Sequence, residues 1–590
     1  MALHLSSFPM PHLQVQVHNL HRPRYHPQRA QDGASMSRKV TCCVTATTQT
    51  SRGRSANYQP TIWDYNFVQS LRTEDVDEEC ENKAKKLEEE VRRMMNNENA
   101  ELLSILELID DIQRLGLGYR FHEDIKIALD RISMSWEEYD DDAKAENKLH
   151  STALRFRLLR QNGCHISQDI FKIFIDQEGN YMEYLKKDVK GLLSLYEASY
   201  LAFEGEKLLD EAKTFSLTHL TQLNRKIDPI ISDLVTHALE NPLHQRLQRL
   251  EARWYIEVYS KRNDANHSLL ELARLDFNRV QLIYKKDLKD LSRWWKEIDL
   301  ASKVKFARDR LMECFFWTIG MIPDPQFNNC RKGLTKVVSL ITILDDVYDL
   351  HGSLDELKLF TNAVERWDIN CVNQLPNYMK LCFLALYNSV NEMGYDTLKE
   401  QGVNIIPSLT KAWLDLCKAF LEEAKWSYNK YTPTFEEYLH YAWLSSSGTL
   451  LLVHSYFLFN QGITDEALDS LEKYHNLCRR PSVIFRLYND LSTFKAEEER
   501  GETASSILCY MQERGLSEEI AREDIKKLIE KNWRQMNKEV SEKHPFSQAF
   551  VETVIHLART AHCTYQNGDG HGHPDARIKK RILSVIIDPI

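Results

Sequence analysis

Glycine and proline are scarce in this chain, at 20 and 16 of 590 residues. A sandwich or barrel of short strands needs far more chain reversals, so the shortage excludes a turn-dense β fold and favours long helices. No run reaches the ~18 apolar residues that a membrane span requires. Val337–Leu344 and Thr449–Phe459 are apolar but short, and are expected to be buried helix. Among the twelve cysteines, no pair after the adjacent Cys42-Cys43 has metal or redox spacing. That excludes a zinc ribbon or disulfide scaffold and suits small buried side chains in a reducing compartment. Fixed-period repeats and strand-like alternation are absent too. A net basic charge is missing from most of the chain. The whole carries −10 at pH 7, residues 1–51 carry +4 (Arg22, Arg24, Arg29, Arg38 and Lys39 against Asp32), and the rest therefore carries −14. A body this acidic excludes a general nucleic-acid partner and binds anionic membranes poorly.

What is present divides into three parts. Residues 1–51 are rich in Ser, Thr, His, Gln and Arg, poor in acid, and read as a plastid transit peptide, which directs the protein to the stroma. From 52 to 268 the text is helical, with apolar positions separated by Glu, Lys and Arg and with breaks at Gly116-Leu117-Gly118, Asn162-Gly163 and Glu178-Gly179-Asn180. Polarity rises at Lys261–His267, a linker by composition, and 269–590 is helical again. The expected fold is all-α, in two helical domains. Of two acidic stretches in the first half, Asp110-Asp111 has no further ligand on its face and reads as structural, and Glu137-Glu138-Tyr139-Asp140-Asp141-Asp142 has no apolar approach and reads as a solvated loop.

Two other acidic clusters carry chemistry. Asp345-Asp346-Val347-Tyr348-Asp349 ends the apolar run Val337–Leu344, and about 145 residues later comes Asn489-Asp490-Leu491-Ser492-Thr493-Phe494-Lys495-Ala496-Glu497. On a regular helix Asp345 and Asp349 share a face at i and i+4, as do Asn489, Thr493 and Glu497. Carboxylates that continue an apolar stripe are costly to desolvate unless a cation lies between them. Oxygen ligands alone, with few charges per site, suit Mg²⁺ or Mn²⁺ completed by substrate phosphate oxygens. Arg308-Asp309-Arg310 and Arg486 add donors whose forks match diphosphate oxygens. Together these features describe a trap for a diphosphate; taken singly, each also fits a surface ion-pairing face.

With these clusters, several other stretches in order along the chain resemble the plant class I terpene synthases, in particular the angiosperm monoterpene synthases. They are Asn57-Tyr58-Gln59-Pro60-Thr61-Ile62-Trp63-Asp64, Leu250-Glu251-Ala252-Arg253-Trp254-Tyr255, Leu291-Ser292-Arg293-Trp294-Trp295, Cys314-Phe315-Phe316-Trp317 and Tyr565-Gln566-Asn567-Gly568-Asp569-Gly570-His571-Gly572. The resemblance implies a carbon–oxygen lyase with an N-terminal relic domain, preceded by a capping strand, and a C-terminal catalytic bundle. It implies three metal ions, with Asp345 and Asp349 as direct ligands, Asp346 in the same motif, and Asn489, Thr493 and Glu497 holding the remaining ion. Arg308, Arg310 and Arg486 would receive the diphosphate, and Trp317 and Tyr565 would face the allylic cation. Asp569 and His571 would lie in a lid, with His571 placed to accept a terminating proton. Val338 would line the pocket, and the run Ser445-Ser446-Ser447-Gly448 would turn carbonyls toward positive charge or simply kink its helix.

One departure stands out. The family's N-terminal strand carries paired arginines eight residues before a Trp; here Arg54 and Trp63 keep the spacing, but Gly53 replaces the partner and Arg52 precedes it. Loss of that pair favours acyclic products, whereas compensation by Arg52 keeps ring closure. The resulting expectation is a monomeric, soluble monoterpene synthase acting on geranyl diphosphate and giving a cyclic olefin. Its rivals are an acyclic monoterpene synthase, a sesquiterpene synthase using farnesyl diphosphate, a chain-elongating prenyltransferase and a non-catalytic helical scaffold. The first half lacks an Asp-x-Asp-Asp acid, so cyclisation started by protonation is not expected.

Overall fold

The long helix His267–Ile298 shows how this sequence builds its frame. Leu269, Leu272, Ala273, Phe277, Val280, Tyr284, Leu288, Leu291 and Trp295 recur at three- and four-residue steps, and all are buried. Such a stripe turns one face of a helix inward, at roughly 1.5–3 kcal/mol per large side chain removed from water. Asn266 starts the helix by accepting from the Leu269 amide at 2.9 Å, and Asp299 ends it in the left-handed region at φ 53°. Its first third packs into a core with Ile105, Leu129 and Tyr255, its middle with Phe315, Phe316 and Ile582, and Trp295 joins the large core around Val337, Phe420 and Leu557.

This computed structural model describes residues 58–73, 78–97, 99–134, 148–223 and 227–590. Among them the secondary structure is helical, and the sole β pairings are the isolated bridges Ile175–Tyr181 and Gln566–Gly568, so the all-α expectation holds. Residues 52–590 group as one compact unit. No described helix is long and apolar enough to cross a membrane. The expected leader, the stretch Glu137–Asp142, and Arg52, Gly53 and Arg54 lie outside the described residues. Tyr58–Asp64, the described part of the expected capping strand, forms no strand; it runs without regular structure into a helix that Asp64 caps at Tyr65.

Asp110 and Asp111 are tied into the first half: Asp110 accepts from Arg157 at 2.6 Å, and Asp111 from the Tyr255 hydroxyl at 2.6 Å and Arg262 at 3.0 Å. Eight of the ten described cysteines are buried and all ten are free; Cys80 and Cys164 are partly exposed, so these two are not core side chains.

Burial holds three described histidines, His244, His454 and His556, neutral near pH 7, and His454 shows how. Its Nε2 accepts from the Trp413 indole at 3.1 Å while its Nδ1 faces the Leu450 carbonyl at 2.9 Å, so no nitrogen remains for a second proton. Burial pushes its pKa down to about 4. The unfolded chain takes that proton near pH 6.5 and the folded chain near 4, so the stabilisation is complete above pH 6.5 and is lost as pH falls to 4. His454→Gln keeps both hydrogen-bonding roles without the titration. Across that window the variant is expected to lose about 3 kcal/mol less stability than wild type in denaturant titrations at each pH. Parallel pH profiles would refute the assignment.

Candidate active site

The helix Asn328–Asp346 is buried on nearly every side, with Leu334, Val337, Val338, Leu340, Ile343 and Leu344 in the large core. Its end does not continue as a regular α-helix. Val347–His351 form a π turn, closed by the Gly352 amide donating to the Val347 carbonyl at 2.8 Å. Within and beside this wider turn the three aspartates have different surroundings. Asp345 is partly exposed. Asp346 is 1% exposed and points inward. Asp349 keeps an open face to solvent, yet enclosure by the protein raises its pKa well above the usual range, helped by Asp345, Glu502 and Glu423.

The second arm is the helix Asn476–Glu499. Asn489, Thr493 and Glu497 lie partly buried along one side, and the Thr493 hydroxyl donates to the Asn489 carbonyl at 2.9 Å. Burial raises the Glu497 carboxyl well above its ordinary range, and Glu502 adds to the effect. Asp490, in the same acidic cluster, faces the other way. It accepts from the Tyr438 hydroxyl at 2.8 Å and from the Ser506 amide at 2.9 Å, so it is a structural carboxylate.

Arg308 joins the first arm. Asp346 accepts from its backbone amide at 2.7 Å and from its Nε at 3.0 Å, and Asp345 pairs with its terminal nitrogen. The Tyr58 ring covers the guanidinium with its centroid 4.7 Å away. Arg310 turns elsewhere and donates to the carbonyls of Asp309, Gln59 and Gly572 at 2.8, 2.8 and 3.0 Å. Arg486 belongs to the second arm and donates to the Ala442 carbonyl, Ser445 Oγ and Asn489 Oδ1 at 3.1, 2.7 and 3.3 Å.

Trp317, Phe485, Tyr565 and His571 form an aromatic cluster near the arms. Trp317 is 4% exposed, with Phe485, Tyr565 and His571 ring centroids 4.7, 6.1 and 6.2 Å away. His571 Nε2 lies 3.0 Å from Thr342 Oγ1, and burial with nearby Arg308 lowers its pKa to about 3, so it is neutral. Asp569 organises the loop that carries His571. Its Oδ1 accepts from the His571 and Gly572 amides at 3.1 and 2.7 Å, and contacts of this kind hold its pKa at about 2 against burial, which raises it. At Ser445–Gly448 the helix breaks, with Ser447 in the left-handed region at φ 68°. A Cβ on Gly448 would stand 2.6 Å from Ser482 Oγ, so glycine is required where these helices cross.

Three residues here escaped sequence reasoning. Glu423, on the helix Ile406–Asn429, accepts from Ser445 Oγ at 2.5 Å and lies 3.6 Å from Arg486; burial raises its pKa. Phe485 completes the aromatic cluster and Tyr58 covers Arg308. Glu423 and Phe485 sit in no motif; Tyr58 lies in the stretch Asn57–Asp64 that carries the resemblance, but its place over Arg308 was not read from it. The signal that could have found Phe485 is its position one residue before Arg486.

No three described His, Cys, Asp or Glu side chains converge closely enough to hold a metal by themselves. The residues instead offer two open half-sites of oxygen donors, Asp345 with Asp349, and Asn489 with Thr493 and Glu497. Burial, and then neighbouring carboxylates, raise the carboxyls of Asp349 and Glu497, and a hard divalent cation beside them would relieve both effects. The donor set therefore fits Mg²⁺ or Mn²⁺.

Hard-donor arms beside buried arginines, opening on aromatic walls, define a metal-dependent enzyme of prenyl diphosphates. The sequence comparison agrees: "Terpene synthase, N-terminal domain" matches residues 62–239 and "Terpene synthase family, metal binding domain" matches 296–535. The chain belongs to the terpene synthase family and is a lyase of the prenyl diphosphate class. It is 56% identical to the chloroplastic isoprene synthase of Populus alba over 92% of this chain and 91% of that one. The structure of grey poplar isoprene synthase in complex with three Mg²⁺ ions and dimethylallyl-S-thiolodiphosphate superposes with a TM-score of 0.82 at 55% identity, covering 90% of this chain and 99% of that one. Limonene synthase with 2-fluorolinalyl diphosphate gives 0.88 at 41%, covering 91% and 100%.

Proposed function

We propose that this protein is a monoterpene synthase that ionises geranyl diphosphate in the plastid stroma after loss of residues 1–51. Asp345 and Asp349 on one arm and Asn489, Thr493 and Glu497 on the other would hold Mg²⁺ or Mn²⁺, which neutralise the leaving diphosphate. Arg308 and Arg486 bind its oxygens. The C1–O bond breaks, the electron pair leaves with the diphosphate, and the allylic cation remains among Trp317, Phe485 and Tyr565. Desolvated rings there stabilise it by roughly 2 kcal/mol or more each. These walls and the Asp569 loop exclude water, and loss of a proton from the cation yields an olefin, which we read as cyclic.

Val338 carries the ten-carbon reading. It lies one turn before Thr342, which contacts His571, and its short branched side chain would leave more room for a long substrate than an aromatic one there. Five further carbons buried there contribute up to about 4 kcal/mol, at ~0.8 kcal/mol per CH₂. A five-carbon substrate is the second reading, favoured by the likeness to poplar isoprene synthases and by Phe485, which narrows the space beside Trp317. Headspace gas chromatography with each substrate separates them. The kcat/KM for geranyl diphosphate is expected to exceed that for dimethylallyl diphosphate at least tenfold. The reverse order with isoprene as product would overturn the monoterpene reading, and no volatile from either would remove the enzyme reading.

A further inference from the structure

Two arginines two residues apart cannot share a helix face, and here they divide their work. Arg308 turns to Asp345 and Asp346. Arg310 is 3% exposed, yet among the described residues no carboxylate lies within ion-pair distance of it. One terminal nitrogen donates to both the Gln59 carbonyl (2.8 Å) and the Gly572 carbonyl (3.0 Å), which belong to segments at opposite ends of the chain. The first segment is the irregular stretch Tyr58–Trp63, also anchored where the Trp63 indole donates to Glu313 Oε1 at 2.9 Å. The second is the loop Gln566–Asp575, whose His573 ring lies 5.1 Å from Tyr58. Both segments therefore close over Arg308 from different sides, and Arg310 is the side chain that binds each of them.

We infer that Arg310 is a latch coupling these two segments, a positioning residue rather than a ligand of the diphosphate. This rests on the diphosphate site proposed above, because the closed segments matter only as its cover. The two N–H bonds of that one guanidinium nitrogen reach two carbonyls at once, so ordering either segment presets the donor for the other. Loosening one segment then loosens the other, but only while Arg310 is present.

Hydrogen exchange on the full chain tests the coupling. The His571 and Gly572 amides are protected by Asp569, and Trp63→Ala loosens the opposite segment. Trp63→Ala is expected to speed exchange of both amides about tenfold with Arg310 present, and less than about twofold in Arg310→Gln, on the scale of one charge-assisted hydrogen bond. Equal acceleration in both backgrounds, or none in either, would overturn the latch. Inhibition by inorganic diphosphate with Mg²⁺ tests the alternative role. Arg310→Gln should change it less than about threefold, and Arg308→Gln at least about tenfold. A tenfold loss on Arg310→Gln would make Arg310 a diphosphate ligand instead. Should Arg310→Gln not fold, Arg310→Lys keeps the charge but loses the planar fork, and the same two readings apply. Failure of the diphosphate site itself would show as unchanged inhibition in both arginine variants, whereas failure of the latch shows in the exchange data alone.

Discussion

Asp345→Asn and Asp349→Asn are each expected to lower kcat/KM by about 10³ or more at saturating Mg²⁺, equal to ~4 kcal/mol of lost transition-state stabilisation. Departure of a diphosphate concentrates negative charge on its oxygens, and the cations that would neutralise it need anionic ligands to stay in place. Asparagine keeps the size of the side chain and removes the charge. The fold should tolerate the change, because neither carboxylate is a core group. Asp349 faces solvent and is already crowded by Asp345, Glu502 and Glu423. Removing one charge from that group relieves repulsion, so thermal unfolding of Asp349→Asn should occur at or slightly above the wild-type temperature. Product formation from geranyl diphosphate and a melting curve check both halves. Activity within tenfold of wild type would remove these aspartates from the metal site, and a large drop in melting temperature would make them structural.

Much of this arrangement could be read from residues. Few glycines and prolines, together with stripes such as Leu269–Trp295, predicted helices because burial on a helix needs that spacing and few breaks. The acidic clusters stood out because carboxylates after an apolar run are costly without a cation. Spacing alone missed how each carboxylate is used. Asp346 ends the regular helix and is buried, whereas Asp349 lies in the π turn that follows and faces solvent. Asp490 stands in the second cluster but off the face of Asn489, Thr493 and Glu497, and its partners Tyr438 and Ser506 could not be read from spacing. Glu423 and Phe485 reach the site from helices about sixty residues apart, and only tertiary packing brings them together. Arg308 and Arg310 read as a pair, but their partners lie at residues 345–346 in one case and 59 and 572 in the other. Sequence identified the chemistry because ligands need particular atoms. It left the aim of each side chain open, because aim depends on contacts distant along the chain.

Asp346 is where aim and stability meet, and Asp346→Ala should be the most destabilising change among the three aspartates, at about 3–5 kcal/mol. Its carboxylate holds Arg308 twice, at the backbone amide and at Nε, while being 1% exposed itself. Burial raises its pKa and the neighbouring Arg308 charge opposes that rise, so the pair is stable only as a pair. Alanine leaves a buried amide without an acceptor and a guanidinium with Asp345 as its remaining carboxylate partner. Asp345 would then be drawn further toward Arg308 and away from a metal, so activity should fall with stability. Asp346→Asn separates the two effects. Its side-chain oxygen can still accept from the Arg308 amide, so about half of the stability should return, whereas the missing charge leaves Arg308 poorly positioned and kcat low. Chemical denaturation and steady-state kinetics on both variants provide the comparison. Equal stability in Asp346→Ala and wild type would show that the Arg308 loop is held by other contacts, and wild-type kcat in Asp346→Asn would show that its charge does not position Arg308.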